Sequence, residues 1–265
     1  MQGNLNGRRI EDMDLKLDGK KAIVTGGTRG IGHAIAHRLA LEGCGVGICA
    51  RGSAKLEAVL AAFAAEGLNV IGTACDVADG DAVRQWTAAM AEQLGGIDVV
   101  VANVSALAGA PGEDSWRAAL EVDMLGTVRT IEAAMPHLEE SEAAAIVTVS
   151  STAGVESFGG VRPYNSIKAA LINYTSNLAT ALAERGIRVN CVSPGTIYFE
   201  DGVWGARRRE DPERYEAALA LNPTGRMGTP EEVADAVAFL ASPVSGFTTG
   251  ANLIVDGGLT RRVQF

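Results

Sequence analysis

Tyr164 and Lys168 stand four positions apart in Tyr164-Asn165-Ser166-Ile167-Lys168, a segment that reads as the opening of a helix. Residues i and i+4 share a helix face, so a phenol and an ammonium would point into one site. A nearby positive charge favours phenolate over phenol. A tyrosine so placed can give a proton to a carbonyl oxygen as hydride reaches the carbon, or take it back in the reverse direction. The spacing alone carries little weight, because it arises by chance in many chains. Ser150-Ser151 closes an apolar run thirteen residues before Tyr164. A hydroxyl at the carboxyl end of a strand lies where doubly wound folds bind ligands. Ser151 could hold the same carbonyl oxygen.

A second constellation is Ile23-Val24-Thr25-Gly26-Gly27-Thr28-Arg29-Gly30-Ile31-Gly32, an apolar run, a glycine-rich turn and a helical pattern. Backbone N–H groups and the positive helix end at such a turn bind a diphosphate without side chains. Glycine permits the tight turn and the close approach of the ligand. The spacing is G-x-x-x-G-x-G rather than the commoner G-x-G-x-x-G, and a plain strand-to-helix turn is the alternative. The next run ends Ile48-Cys49-Ala50-Arg51-Gly52. A site that prefers NAD places a carboxylate there for the ribose hydroxyls. Here Ala50 takes that place and Arg51 follows; a guanidinium can fork onto a 2′-phosphate. Arg29 adds a second cation. NADP(H) is therefore the preferred cofactor and NAD(H) a possible one. The alternative for Arg51 is a solvated strand-end arginine.

These residues need a frame. Short apolar runs fall at residues 22–25, 45–50, 70–75, 97–103, 144–150, 187–192 and 252–255. Most are apolar on both faces, as in a parallel sheet covered on both sides. Helical patterns lie between them at 31–42, 54–66, 82–94, 115–138, 164–184 and 230–240. The fourth places Leu120, Met124, Val128, Ile131 and Met135 along one face. Seven strands alternating with six helices predict a single doubly wound α/β domain of Rossmann type over residues 15–265. Residues 1–14 read as a loose tail. Residues 198–227 read as one long irregular stretch, the place for a substrate loop.

Composition narrows the classes. The 265 residues carry 23 Lys and Arg against 32 Asp and Glu, a net charge of −9. That disfavours a nucleic-acid binder, which needs a basic face. No apolar run approaches the roughly 18 residues that span a bilayer, and the N-terminus has no apolar signal core. Cys44, Cys49, Cys75 and Cys191 form no C-x-x-C pair. Buried free thiols and a reducing, cytoplasmic location are expected. His33 and His37 share a helix face, but lack a third ligand, so packing or solvated histidines are favoured over a metal site. His137 suits a helix C-terminus. Arg207-Arg208-Arg209 lies beside Glu200, Asp201, Glu210 and Asp211; the mixed signs favour a solvated face, with docking of an anionic carrier as the alternative. Tyr198 and Trp204 are candidate walls of an apolar pocket, or packing residues.

Together, Thr25-Gly26, Gly30-Ile31-Gly32, Ser151, Tyr164-x-x-x-Lys168 and Pro194-Gly195 resemble the short-chain dehydrogenase/reductases over about residues 15–259. The segments Gly228-Thr229-Pro230-Glu231-Glu232-Val233-Ala234 and Thr249-Gly250-Ala251-Asn252-Leu253-Ile254-Val255-Asp256-Gly257-Gly258 resemble the branch that contains 3-oxoacyl-acyl-carrier-protein reductases. The resemblance implies that Ser151 orients the carbonyl, Tyr164 is the acid/base and Lys168 binds the nicotinamide ribose. It implies that Asp76-Val77 contact adenine, that Ile197 meets the carboxamide through its backbone and that Asn103 stands beside the cofactor. A homotetramer is also implied. Three departures stand out. The fourth-strand Asn-Asn-Ala-Gly reads Ala102-Asn103-Val104-Ser105. Phe199 replaces a threonine that hydrogen-bonds the cofactor. Asp123 takes the place of a catalytic asparagine that supports a water next to the lysine; an aspartate could hold that water too, and if ionised would partly neutralise Lys168. The expected activity is hydride transfer between NADP(H) and a carbonyl or secondary alcohol, with a 3-oxoacyl thioester as one candidate. An NAD-linked alcohol dehydrogenase and a nucleotide-binding regulator with impaired turnover are the alternatives.

Overall fold

A computed structural model describes residues 13–158 and 160–263. Of the expected tail over 1–14, only Met13 and Asp14 fall within them. The chain alternates strand and helix: β1 (Lys21–Thr25), α1 (Gly30–Leu41), β2 (Gly45–Ala50), α2 (Ser53–Ala65), β3 (Val70–Ala74), α3 (Gly80–Leu94) and β4 (Val99–Ala102). There follow α4 (Glu113–Ala118), α5 (Gly126–Glu139), β5 (Ala145–Val149), α6 (Pro163–Leu182), β6 (Arg188–Pro194), α7 (Val203–Glu210), α8 (Pro212–Leu219), α9 (Pro230–Ala241) and β7 (Asn252–Val255).

The seven strands form one sheet in the order β3-β2-β1-β4-β5-β6-β7, and every pairing is parallel. Alternate side chains leave a strand on opposite faces, and the apolar runs use both. Ala22 and Val24 of β1, Val99 and Val101 of β4, and Ala145 and Val147 of β5 enter the core shared with α1 and α9. Ile23, Val100 and Ile146 enter the opposite core with Val83, Trp86 and Met90 of α3, Ile131 and Leu138 of α5, and Leu182 of α6. The expected three-layer α/β domain is the observed one. Because β1 pairs with both β2 and β4, the chain's crossovers reverse direction between β1 and β4. A crevice opens at the strands' carboxyl ends at such a point.

Two elements differ from the reading of the sequence. The helix expected over 115–138 runs from Glu113 to Glu139, but residues Ala119–Leu125 form a π-helical turn between α4 and α5. The wider turn shifts the register, so Leu120 is exposed rather than part of the apolar face, while Ala119 and Asp123 are buried. Wide turns of this kind cluster at functional sites. The stretch 198–227 is not irregular: it contains α7 and α8. Asp211 accepts a hydrogen bond from the Arg214 backbone N–H and Pro212 occupies the first turn of α8, a helix start that the surrounding mixed charges obscure. At the far end of this stretch, Thr229 and Glu232 form a reciprocal cap on α9.

Candidate active site

The expected site residues share one rim of the molecule, because parallel strands all end on the same edge. The turn Gly26 to Gly32 follows β1, Arg51 follows β2, Asp76 and Val77 lie just beyond β3, Asn103 follows β4, Ser151 lies just beyond β5 and Ile197 follows β6. The rim is tied across the crevice. Asn103 donates its backbone N–H to Thr25 Oγ1 at 3.0 Å and its side-chain N–H to the Thr25 carbonyl at 3.0 Å. The Gly26 and Gly27 N–H groups donate to the Cys49 carbonyl. The surviving asparagine of the altered fourth-strand motif thus braces the glycine turn.

The glycine turn fits a dinucleotide. Gly26 and Gly30 have positive φ, +73° and +51°, a region L side chains rarely enter. A Cβ on Gly32 would lie 2.2 Å from the Gly26 carbonyl oxygen, so only glycine lets α1 begin so close to the turn. Arg29 occupies the N-cap of α1 without a side-chain cap, and the first turn, with Thr28 just before it and Ile31 within it, has no acidic residue. The positive helix end therefore faces the crevice uncompensated. Replacing Gly32 by alanine will weaken dinucleotide binding by at least roughly tenfold, about 1.4 kcal/mol; a fluorescence titration with the nucleotide measures it.

Phe199 closes one side of this turn. A Cβ on Gly30 would meet the Phe199 ring at 2.5 Å, and one on Gly202, the N-cap of α7, would meet the same ring at 2.7 Å. A phenyl ring cannot donate the hydrogen bond of the threonine it replaces. It instead joins the glycine turn to the start of α7 by packing.

Arg29 and Arg51 are exposed, and neither forms a salt bridge among the described residues. Asp76 accepts from the Ala78 N–H at 3.1 Å. Val77 is buried and packs where a Cβ on Gly126 would stand. The Ile197 segment is held by a bridge to Gly228, with the Tyr198 N–H donating to the Gly228 carbonyl at 2.8 Å.

Tyr164 and Lys168 lie in the first turns of α6, whose start is set by Pro163. The Lys168 Nζ is 5.7 Å from the centre of the Tyr164 ring. It donates to the Val149 carbonyl at 3.0 Å and lies 3.3 Å from Asp123 Oδ1. Both side chains of that pair are 2 % exposed. Asp123 Oδ2 accepts from the Ala106 N–H at 2.7 Å. Oδ1 lies outside hydrogen-bonding geometry with any described group. The sequence allowed Asp123 to act on Lys168 through a water; the structure places carboxylate and ammonium in direct contact. The β5–α6 segment follows the same helix: Ser150 donates to the Lys168 carbonyl at 2.7 Å, and a Cβ on Gly154 would strike the α6 backbone at 2.5 Å. Ser151 is nearly buried and its hydroxyl accepts from the Ala153 N–H.

Other expectations resolve as packing. His33 and His37 stack on Phe63, and His37 pairs with Glu66 at 2.8 Å; no group of three metal-ligating side chains occurs among the described residues. All four cysteines are buried and free. Tyr198 donates its hydroxyl to Glu200, and its ring meets Tyr215 edge-on.

Residues 26–260 match the family described as enoyl-(acyl carrier protein) reductase. Isoepoxydon dehydrogenase of Penicillium expansum is 37 % identical over 253 residues, covering 94 % of this chain and 98 % of that protein. Dehydrogenase/reductase SDR family member 4 of Bos taurus is 37 % identical over 91 % of this chain and 88 % of its own length. Among solved structures, an NADPH-bound short-chain oxidoreductase of Pseudomonas aeruginosa PAO1, described as containing an atypical catalytic center, superposes with a TM-score of 0.84 at 32 % identity, covering 92 % of this chain and 98 % of that one. With this fold, this rim and these relatives, the chain belongs to the short-chain dehydrogenase/reductases and is an NAD(P)-dependent oxidoreductase acting on an alcohol or carbonyl group.

Proposed function

We propose that the protein transfers hydride between NADP(H) and a carbonyl or secondary alcohol, with Tyr164 moving the proton. The observation that carries this reading is the buried Lys168 ammonium 5.7 Å from the centre of the Tyr164 ring, held on the Val149 carbonyl at the carboxyl end of β5. When bound, the nicotinamide would supply or accept the hydride. The glycine turn would hold the diphosphate on backbone N–H groups, Asp76 and Val77 the adenine, and Asn103 and Ile197 the path toward the nicotinamide. The Ser151 hydroxyl donates to the substrate oxygen and fixes its position. The Tyr164 hydroxyl gives that oxygen a proton in reduction and recovers it in oxidation. Lys168 supplies the positive charge that stabilises the phenolate so formed. Asp123 holds Lys168 in place. A panel of ketones and 3-oxoacyl thioesters, each followed by NADPH oxidation, tests the activity; nucleotide binding without turnover across the panel supports the regulator instead.

For the cofactor, Arg29 and Arg51, neither of which forms a salt bridge among the described residues, favour a 2′-phosphate over a bare ribose. Arg51→Ala will reduce the preference for NADPH over NADH by about ten- to hundredfold, the range of a hydrogen bond to a charged group. Paired KM measurements check it, and an unchanged ratio removes Arg51 from the site. The homotetramer implied by the family is carried as part of the proposal, to be read from the mass in solution.

A further inference from the structure

Helices α7 and α8 stand apart from the rest of the fold. Among the described residues they pack mainly on each other. Gly205 is the buried residue of α7, and α8 has none. An element with so few buried apolar contacts opens at low cost. Its charges do little to hold it. Arg209 pairs with Glu200, and Arg208 lies 5.7 and 5.9 Å from the centres of the Tyr198 and Tyr215 rings. These two fit the solvated, mixed-charge face expected from sequence. Lys55 of α2 reaches Asp201 at 3.8 Å, but both side chains are more than half exposed, and such a pair contributes little.

Phe199 makes the tighter tie. Its Cζ, Cε1 and Cε2 atoms lie 2.5 to 2.8 Å from the Cβ position of Gly30 and 2.7 to 2.9 Å from that of Gly202. Two glycines thus make room for one ring edge. The Gly202 N–H donates to the Phe199 carbonyl at 3.0 Å, and a Cβ on Gly205 would strike the Glu200 carbonyl. Ring and first turn of α7 therefore move together. Gly30 opens α1, in the turn whose N–H groups would hold the diphosphate. The edge of an aromatic ring is the positive end of its quadrupole, and it is this edge that meets the turn. An anion in the turn and the ring edge attract each other. A ring on that side also keeps water from the anion, which strengthens the charge interactions within. We propose that Phe199 is a positioning residue that couples the nucleotide to α7 and α8: a dinucleotide in the glycine turn holds the ring, and through it the helical pair, against the body of the protein, and leaves only when the ring does. The inference rests on the dinucleotide reading above and adds to it the residue that governs release.

The test needs no carbonyl substrate. Trypsin cleavage after Arg208, Arg209 and Arg214, all exposed, reports the position of the helical pair. Stopped-flow displacement of NADPH, and of NADH, by excess oxidised nucleotide reports release. Bound nucleotide is expected to slow cleavage of the wild type, whereas Phe199→Ala is cleaved equally fast with and without it. Phe199→Ala also releases nucleotide about three- to tenfold faster, the worth of one specific aromatic contact. Phe199→Leu keeps apolar bulk without the ring edge; it retains part of both effects, and it decides the matter if Phe199→Ala does not fold. Wild-type cleavage that nucleotide leaves unchanged, or variants with wild-type release, overturn the coupling while the dinucleotide reading stands. Variants cleaved faster by one common factor, with and without nucleotide, show a structural role alone and overturn it too. A wild type that binds neither nucleotide removes the dinucleotide reading and the coupling with it.

Discussion

Tyr164→Phe will bind NADPH with unchanged affinity and lose about two to four orders of magnitude in kcat, the usual contribution of a positioned acid/base. The substitution removes one oxygen and leaves the ring, so the packing of the first turn of α6 survives. Tyr164 is only partly buried, and its backbone N–H, which donates to the Ala108 carbonyl at 3.2 Å, is untouched. The loss falls on kcat because the phenol acts on the substrate oxygen as the bond changes, not on the nucleotide. Fluorescence quenching and initial rates on the same preparation separate the two. Turnover within tenfold of the wild type would remove Tyr164 from the proton transfer and with it the proposed mechanism.

Asp123→Ala is the second large effect, and it acts on stability. Asp123 and Lys168 form a pair with almost no solvent access, 3.3 Å apart. Removing one member of a buried pair leaves the other charge uncompensated, at roughly 3–5 kcal/mol. For a chain of this size that lowers Tm by about 6–20 °C, taking about 2–4 °C per kcal/mol. The Ala106 N–H also loses its acceptor, so the loop after β4 loosens. Calorimetric melting measures the loss, and a Tm within 2 °C, on the order of 1 kcal/mol, would show that the pair holds nothing together. Asp123→Asn separates charge from shape. It keeps an oxygen for the Ala106 N–H and removes the negative charge beside Lys168. The ammonium then stands beside Tyr164 without that opposing charge, so kcat changes while nucleotide affinity holds. An unchanged kcat with intact nucleotide binding would leave Asp123 a purely structural residue.

Much of this was legible in the residues. The apolar runs fix the seven strands because a strand covered on both faces needs apolar side chains in both directions, and their ends miss by one or two residues only, where hydrogen bonding rather than hydrophobicity sets the limit. Gly26, Gly30 and Gly32 were legible because backbone geometry there excludes other residues. The helices α7 and α8 were not read, since Val203 to Leu219 is too polar for an amphipathic stripe and its start signal, Asp211-Pro212, is short. The exposure of Leu120 was not read either: a π-helical turn breaks the 3.6-residue period on which such a stripe depends.

From the chain alone one learns the order of elements, the phosphate-binding turn and the presence of a phenol one helical turn from an ammonium, because each is a matter of spacing along a few residues. Folding decided that Asp123 touches Lys168 directly and that Phe199 lies against Gly30. Those neighbours come from elements far apart in sequence. Which side chains meet there depends on packing angles and on the turn of each helix about its axis, and residue spacing carries neither.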